Sequence, residues 1–268
     1  MNAPIAPPAK TAPPPAAACH IALENVSVSI PVFTPGQQRL LQRPSFLTSV
    51  GGRLSKSNGR VHVEALKNVS FEINHGQALA LIGHNGAGKT TLLRVIAGIY
   101  PPTQGVVRVE GRIGCVFDAA TGISPDMTGR ECIKYHTLIY GRGANWREIE
   151  QDVTAFTDFG DFLDLPVRTY SSGMNSRLTA ALATAWKHDI LLIDEGIGAG
   201  DAAFQKKFST RLENYLRSAG MLVLASHSTE MLRSYCTHGL VVAHGSVRFF
   251  GGIEGALAFY ADSLKRQQ

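Results

Sequence analysis

Gly83-His84-Asn85-Gly86-Ala87-Gly88-Lys89-Thr90-Thr91 constrains this chain more than any other stretch. It fits G-x-x-x-x-G-K-[ST], a loop whose backbone cradles phosphate. The apolar run Ala78-Leu79-Ala80-Leu81-Ile82 before it reads as a buried strand. Thr91-Leu92-Leu93-Arg94-Val95-Ile96-Ala97 after it reads as a helix. Strand, glycine loop and helix are the context the motif needs, and they commit the chain to an α/β core. Glycines let backbone N–H groups turn inward as an anion-binding nest. The positive end of the helix dipole points to the same place. Lys89 suits the β- and γ-phosphates of a nucleotide, and the Thr90 hydroxyl suits Mg²⁺.

At 268 residues the chain can bury a sizeable core. Its 44% hydrophobic and 18% charged residues are those of a globular protein. The net charge of +5 is mild and compatible with a nucleotide, nucleic acid or an anionic membrane surface. Cys19, Cys115, Cys132 and Cys236 are scattered without C-x-x-C, which argues against zinc and disulfides and for a reducing cytosol. No apolar run approaches the roughly 18 residues of a membrane-spanning helix. Ala16-Ala17-Ala18-Cys19 has the look of a lipoprotein cleavage site. Pro13-Pro14-Pro15 stands where its apolar segment belongs, so no leader is expected.

Residues 1–19 are rich in Pro and Ala and read as a disordered tail. Residues 20–33 alternate apolar and polar side chains and read as an edge strand. Residues 34–60 form a basic insertion with Arg39, Arg43, Arg53, Lys56, Arg60 and no acid. It reads either as an amphipathic segment near anionic lipid or as a solvated loop. Residues 61–73 read as a strand pair. Residues 105–116 read as strand, turn, strand. From 125 to about 185 the pattern is helical, broken at Gly141–Gly143 and near Pro166. Residues 190–193 and 221–225 are strand-sized apolar runs separated by a helix, as a βαβ unit requires. Residues 240–250 read as a hairpin and 253–268 as a closing helix.

Further stretches complete a nucleotide site. His188-Asp189-Ile190-Leu191-Leu192-Ile193-Asp194-Glu195 is an apolar strand ending in two carboxylates. Asp194 suits water-mediated Mg²⁺ binding, and Glu195 suits polarising the attacking water. Leu224-Ala225-Ser226-His227 is another apolar strand, and His227 is placed to hydrogen-bond a γ-phosphate. Tyr170-Ser171-Ser172-Gly173-Met174 opens a helical run and offers a second anion site. Gly198-Ala199-Gly200-Asp201 is a flexible turn.

With these motifs in this order, the chain resembles an ABC-transporter ATP-binding subunit over about residues 20–250. Ser171-Ser172-Gly173-Met174 stands at the signature motif, Gly198-Ala199-Gly200-Asp201 at the D-loop, and His227 at the switch histidine. The resemblance implies a P-loop NTPase fold with an antiparallel β subdomain and a helical subdomain at about 123–185, the whole domain spanning 20–252. It implies ATP and Mg²⁺, with Gly83, His84, Asn85, Gly86, Ala87, Gly88, Lys89, Thr90 and Thr91 on the phosphates. It also implies a head-to-tail homodimer in which Ser171, Ser172 and Gly173 of one copy close over the other's nucleotide. Integral-membrane permease subunits are the implied partners, at the cytoplasmic face of the cell membrane. Asp118 stands where that family carries the Q-loop glutamine, and it is taken as a further Mg²⁺ ligand. Phe33 is the candidate to stack on adenine, with Ile30 as its competitor.

Tyr170 to Met174 with Arg177-Leu178, Pro125-Asp126-Met127-Thr128-Gly129-Arg130-Glu131, and Gly200-Asp201-Ala202-Ala203-Phe204-Gln205-Lys206-Lys207 resemble the polysaccharide-export branch, which moves capsule, O-antigen or teichoic acid chains. The expected function is therefore ATP hydrolysis coupled to export of a lipid-linked polysaccharide. Some members of that branch add a carbohydrate-binding domain. The chain runs only 18 residues past Phe250, so neither that domain nor glycan recognition is expected of it. The alternative is a soluble ABC-type ATPase acting on nucleic acid or ribosomes. A single cassette without heptads argues against it, and no nucleic-acid partner is expected.

Overall fold

Strands β4 (Ala78–Ile82), β7 (Ile190–Ile193) and β8 (Met221–Ala225) are buried at every position. Such runs fit the middle of a parallel sheet covered on both faces. In the computed structural model they lie in a six-stranded sheet of order β10-β9-β4-β8-β7-β6. Here β6 is Ile113–Val116, β9 is His238–Ala243 and β10 is Ser246–Gly252. All neighbours pair in parallel except the hairpin β9–β10. The structure describes residues 19–31, 53–57, 60–116, 123–140, 145–186, 188–194, 202–217 and 220–266.

The pleat divides each strand between two cores. Leu79, Leu81, Ile190, Leu192, Met221, Val223 and Ala225 face one; Ala78, Ala80, Ile82, Leu191, Ile193, Leu222 and Leu224 face the other. The first core is closed by α1 (Lys89–Ile96), through Leu92, Leu93, Val95 and Ile96, and by a four-stranded antiparallel sheet. That sheet runs β2-β3-β1-β5, with β1 His20–Pro31, β2 Arg53–Ser57, β3 Arg60–Asn74 and β5 Gln104–Glu110. Ile21, Leu23, Val26, Leu66, Val69 and Phe71 turn inward from it onto the helix. α1 is thus clamped between two sheets, which fixes the loop at its start.

Four details differ from the sequence reading. β1 is interior, paired with β3 on one side and β5 on the other, not an edge strand. Residues 61–73 are not a strand pair; they belong to one 15-residue strand, β3. The end of the basic insertion, Arg53–Ser57, pairs in register with Arg60–Glu64 and extends the sheet as a hairpin arm. Residues 34–52 and 1–18 lie outside the described residues. Cys19, read as the last residue of the disordered tail, is instead 1% exposed and packs in the first core, so it belongs to the folded domain.

The second core is covered by helices α2 (Gly129–Tyr140), α3 (Trp146–Thr157), α4 (Ser172–Thr184), α5 (Ala202–Arg217), α6 (Thr229–Tyr235) and α7 (Ile253–Lys265). Thr128 and Glu131 open α2 with a capping box: the Thr128 hydroxyl accepts from Glu131 N at 3.1 Å, and the Glu131 carboxylate accepts from Thr128 N at 2.8 Å. Around Pro166 the chain makes two 3₁₀ turns, Gly160–Asp164 and Val167–Thr169. Among the described residues no helix is long and apolar enough to cross a membrane.

At the sheet end opposite the loop, Arg112 donates two side-chain hydrogen bonds to Asp189 at 3.0 and 3.1 Å, tying β6 to β7. Beside it His188 packs so closely on Gly114 that a Cβ there would meet the ring at 2.3 Å. Burial, then the Arg112 charge, push the imidazole down to about 4. The unfolded chain binds this proton near pH 6.5 and the folded chain does not. Stability is therefore present above that pH and lost as pH falls toward 4. Between pH 7.5 and 5 the wild type should lose about 2 kcal/mol that His188→Gln keeps, measured by urea unfolding. Equal losses in both would contradict this.

Candidate functional site

β4 ends at Ile82, and the chain turns through Gly83 to Gly88 before α1 begins. Gly86 (φ 76°) and Gly88 (φ 112°) occupy the left-handed region that side chains rarely tolerate, which turns successive N–H groups inward. Lys89 is 6% exposed. Its ammonium curls back over the loop and donates to the carbonyls of Gly83 at 2.7 Å and His84 at 3.3 Å. A cavity of about 390 Å³ opens here, lined by Asn85, Gly86, Ala87, Gly88, Lys89, Thr90, Thr91 and Asp194.

The sheet order explains how distant residues reach the cavity. β8 lies between β4 and β7, with Leu81 opposite Ala225 and Ile193 opposite Leu224. All three strands therefore end at one level, and Asp194 and His227 emerge beside the loop. His227 Nε2 lies 2.7 Å from Asn85 Oδ1. Ser226 and Ser228 fix the backbone around it: Ser226 Oγ accepts from Ser228 N at 3.1 Å, and Ser228 Oγ caps α6 by accepting from Met231 N at 3.3 Å.

The loop is held from behind by the β9–β10 turn, a support that sequence reasoning missed. Gly245 N donates to Ala87 O at 2.9 Å, and Lys67 N donates to Gly245 O at 2.8 Å. The His84 ring lies 5.2 Å from that of His244 in the same turn. Only the His244-Gly245 turn itself was visible in sequence; its docking on a loop some 160 residues earlier was not. Gly83 is fixed by the same packing, since a Cβ there would stand 2.3 Å from the Val242 carbonyl oxygen. That neighbour is backbone and cannot turn aside. Gly83→Ala should cost about 1–3 kcal/mol of stability and shift the loop, weakening nucleotide binding. Unchanged thermal unfolding and ATP affinity would contradict the packing.

Ser171 caps α4, its Oγ accepting from Met174 N at 3.2 Å. Ser171 and Ser172 are exposed and are not among the residues lining the cavity. α4 is braced against α5 by Arg177, whose guanidinium lies 4.9 Å from the Phe204 ring centre. α3 is tied to α5 by ion pairs Lys207–Asp158 and Arg211–Asp152, with Arg211 also over the Phe156 ring at 4.4 Å. Phe33, Asp118, Glu195 and the turn Gly198-Ala199-Gly200-Asp201 lie outside the described residues.

Chemically, the cavity suits the phosphate tail of a nucleotide. It offers an inward-facing backbone nest, a buried ammonium at its floor and the N-terminus of α1. No cluster of three or more His, Cys, Asp or Glu residues able to hold a metal occurs among the described residues. Mg²⁺ needs no such cage, because phosphate oxygens, water and one or two protein oxygens suffice. Thr90 and Asp194, both on the cavity wall, can supply those oxygens.

Comparison with known proteins agrees with this geometry. The family model described as ABC transporter matches residues 66–198. The chain is 42% identical over 226 residues to the O-antigen export system ATP-binding protein of Yersinia enterocolitica, covering 84% of this chain and 94% of that one. It is 38% identical to the polysialic acid transport ATP-binding protein of Escherichia coli, covering 77% and 93%. It also aligns at 37% identity with the O-antigen export ATP-binding protein of Myxococcus xanthus, but spans only 46% of that longer relative. Among solved structures, an ATP-binding subunit of an ABC transporter superposes with a TM-score of 0.69 at 17% identity, over 91% of this chain and 99% of that one. A dimeric ATP-binding cassette with ADP and phosphate superposes at 0.68 and 21% identity, over 87% and 98%. At these identities the structural likeness speaks for the fold.

Proposed function

The chain belongs to the ABC transporter family as an ATP-binding subunit, and from that premise we propose that it hydrolyses ATP to drive export of a lipid-linked polysaccharide. The carrying observation is the convergence of the phosphate loop, Asp194 and His227 at the C-terminal ends of the inner strands β4, β7 and β8, in a chain whose relatives are named for O-antigen and polysialic acid transport. Those names favour export over action on nucleic acid or ribosomes.

In this reading the Gly83 to Thr91 loop holds the phosphates, and Lys89 neutralises charge on the β- and γ-groups. Thr90 and Asp194 would hold Mg²⁺, with Asp118 as a further ligand, and the ion would offset the charge of the triphosphate. Glu195 polarises the attacking water, His227 holds the γ-phosphate, and Phe33 stacks on adenine. Two copies meet head to tail. Ser171, Ser172 and Gly173 of one then present a helix N-terminus to the other's nucleotide. The exposure of Ser171 and Ser172, apart from the copy's own cavity, supports this arrangement. Closure and reopening of the pair work a membrane permease at the cytoplasmic face of the cell membrane. The glycan, capsule or O-antigen in kind, passes through that permease.

The test is co-purification. A tagged Glu195→Gln form, extracted from its own membranes in mild detergent, should bring down a polytopic permease together with lipid-linked glycan. A small-solute permease, or ribosomes in its place, would overturn the export assignment.

A further inference from the structure

Asn85 sits at the tip of the phosphate loop, yet its side chain is engaged with His227 and not with the loop. Its Oδ1 stands 2.7 Å from His227 Nε2, linking residues 142 apart in sequence. Both residues are exposed. A neutral hydrogen bond in water adds at most about 1 kcal/mol to stability, so its use lies elsewhere. The backbone of His227 is already set by Ser226 and Ser228. What the Asn85 contact bears on is the ring, its rotation and its tautomer.

An amide oxygen can only accept. While His227 bonds it, the ring must carry hydrogen on Nε2, the nitrogen facing the loop. A ring in that state can donate to an anionic oxygen, and that nitrogen cannot take a proton from water. We propose that Asn85 is a positioning residue: it orients His227 and fixes it as an Nε2–H donor, ready to pass from the amide oxygen to the γ-phosphate. His227 then acts on phosphate as a hydrogen-bond donor and not as a general base. This rests on the reading that His227 serves ATP turnover.

The experiment compares Asn85→Ala, Asn85→Asp, His227→Ala and the Asn85→Ala/His227→Ala pair in the full chain. The readouts are steady-state ATPase kinetics, binding of a non-hydrolysable ATP analogue, and thermal unfolding. Asn85→Ala keeps the loop backbone and should lower kcat about 10-fold, with a much smaller change in analogue affinity and unfolding. Asn85→Asp keeps an acceptor for Nε2–H but adds negative charge beside the phosphates. It should lose less kcat than Asn85→Ala while raising KM. In the double variant Asn85→Ala should have no further effect, since its role runs through the histidine. If His227→Ala abolishes turnover while Asn85→Ala keeps kcat within twofold, the positioning role is wrong and the reading of His227 stands. If His227→Ala itself turns over normally, the reading beneath the proposal fails. A fall in Asn85→Ala affinity that matches its fall in kcat would mark a structural role and also overturn the proposal.

Discussion

Lys89→Ala is expected to reduce ATP turnover by about 10²- to 10⁴-fold and to remove measurable nucleotide binding. The ammonium is 6% exposed and lies against two loop carbonyls, aimed along the cavity floor. In the proposed reading it would make charge-assisted bonds to phosphate oxygens of a bound nucleotide, each worth about 1.5–3 kcal/mol. Two such bonds account for the range. The fold should survive, because Lys89 itself lines the cavity, where water can take the place of the ammonium. Lys89→Arg should not rescue, since the planar, longer guanidinium does not fit a site built around a point charge. Phosphate release and analogue binding, with circular dichroism as a control on folding, measure this. Turnover within tenfold of wild type would sink the assignment.

Glu195→Gln is expected to lower kcat about 10²- to 10⁴-fold while ATP affinity stays near wild type. Glutamine keeps the size of the side chain but cannot accept the water's proton. Because ATP binds and is not consumed, the closed pair should accumulate. Size-exclusion chromatography with ATP and Mg²⁺ should show a dimer that wild type holds only transiently. A monomer under those conditions, or normal turnover, would contradict the role of Glu195 and the head-to-tail pairing.

Much of the architecture was legible because β4, β7 and β8 are apolar at every residue, a pattern that only a doubly covered strand requires. The glycine loop was legible for a related reason, since its backbone angles demand particular residues. Pairing was harder to read. β1 shows patchy alternation because its register with β3 shifts near Asn25 and Asn68, both at positive φ, so an interior strand looks like an edge. β5 and β6 look like one hairpin but belong to different sheets, a choice made by partners far away in sequence. The same limit hid the contacts of the loop. Gly83 is constrained by Val242, Ala87 by Gly245, and Asn85 by His227, and nothing local to any of them marks its partner. Residue types showed what the site contains, while the sheet order decides what touches what.

The most direct measurement of the central claim is surface display of the glycan in cells that lack this chain. Wild type should restore it. The Glu195→Gln form, made at equal level, should not, and lipid-linked glycan should build up inside those cells. Full surface display with Glu195→Gln, or normal display in cells without the chain, would contradict ATP-driven export by this protein.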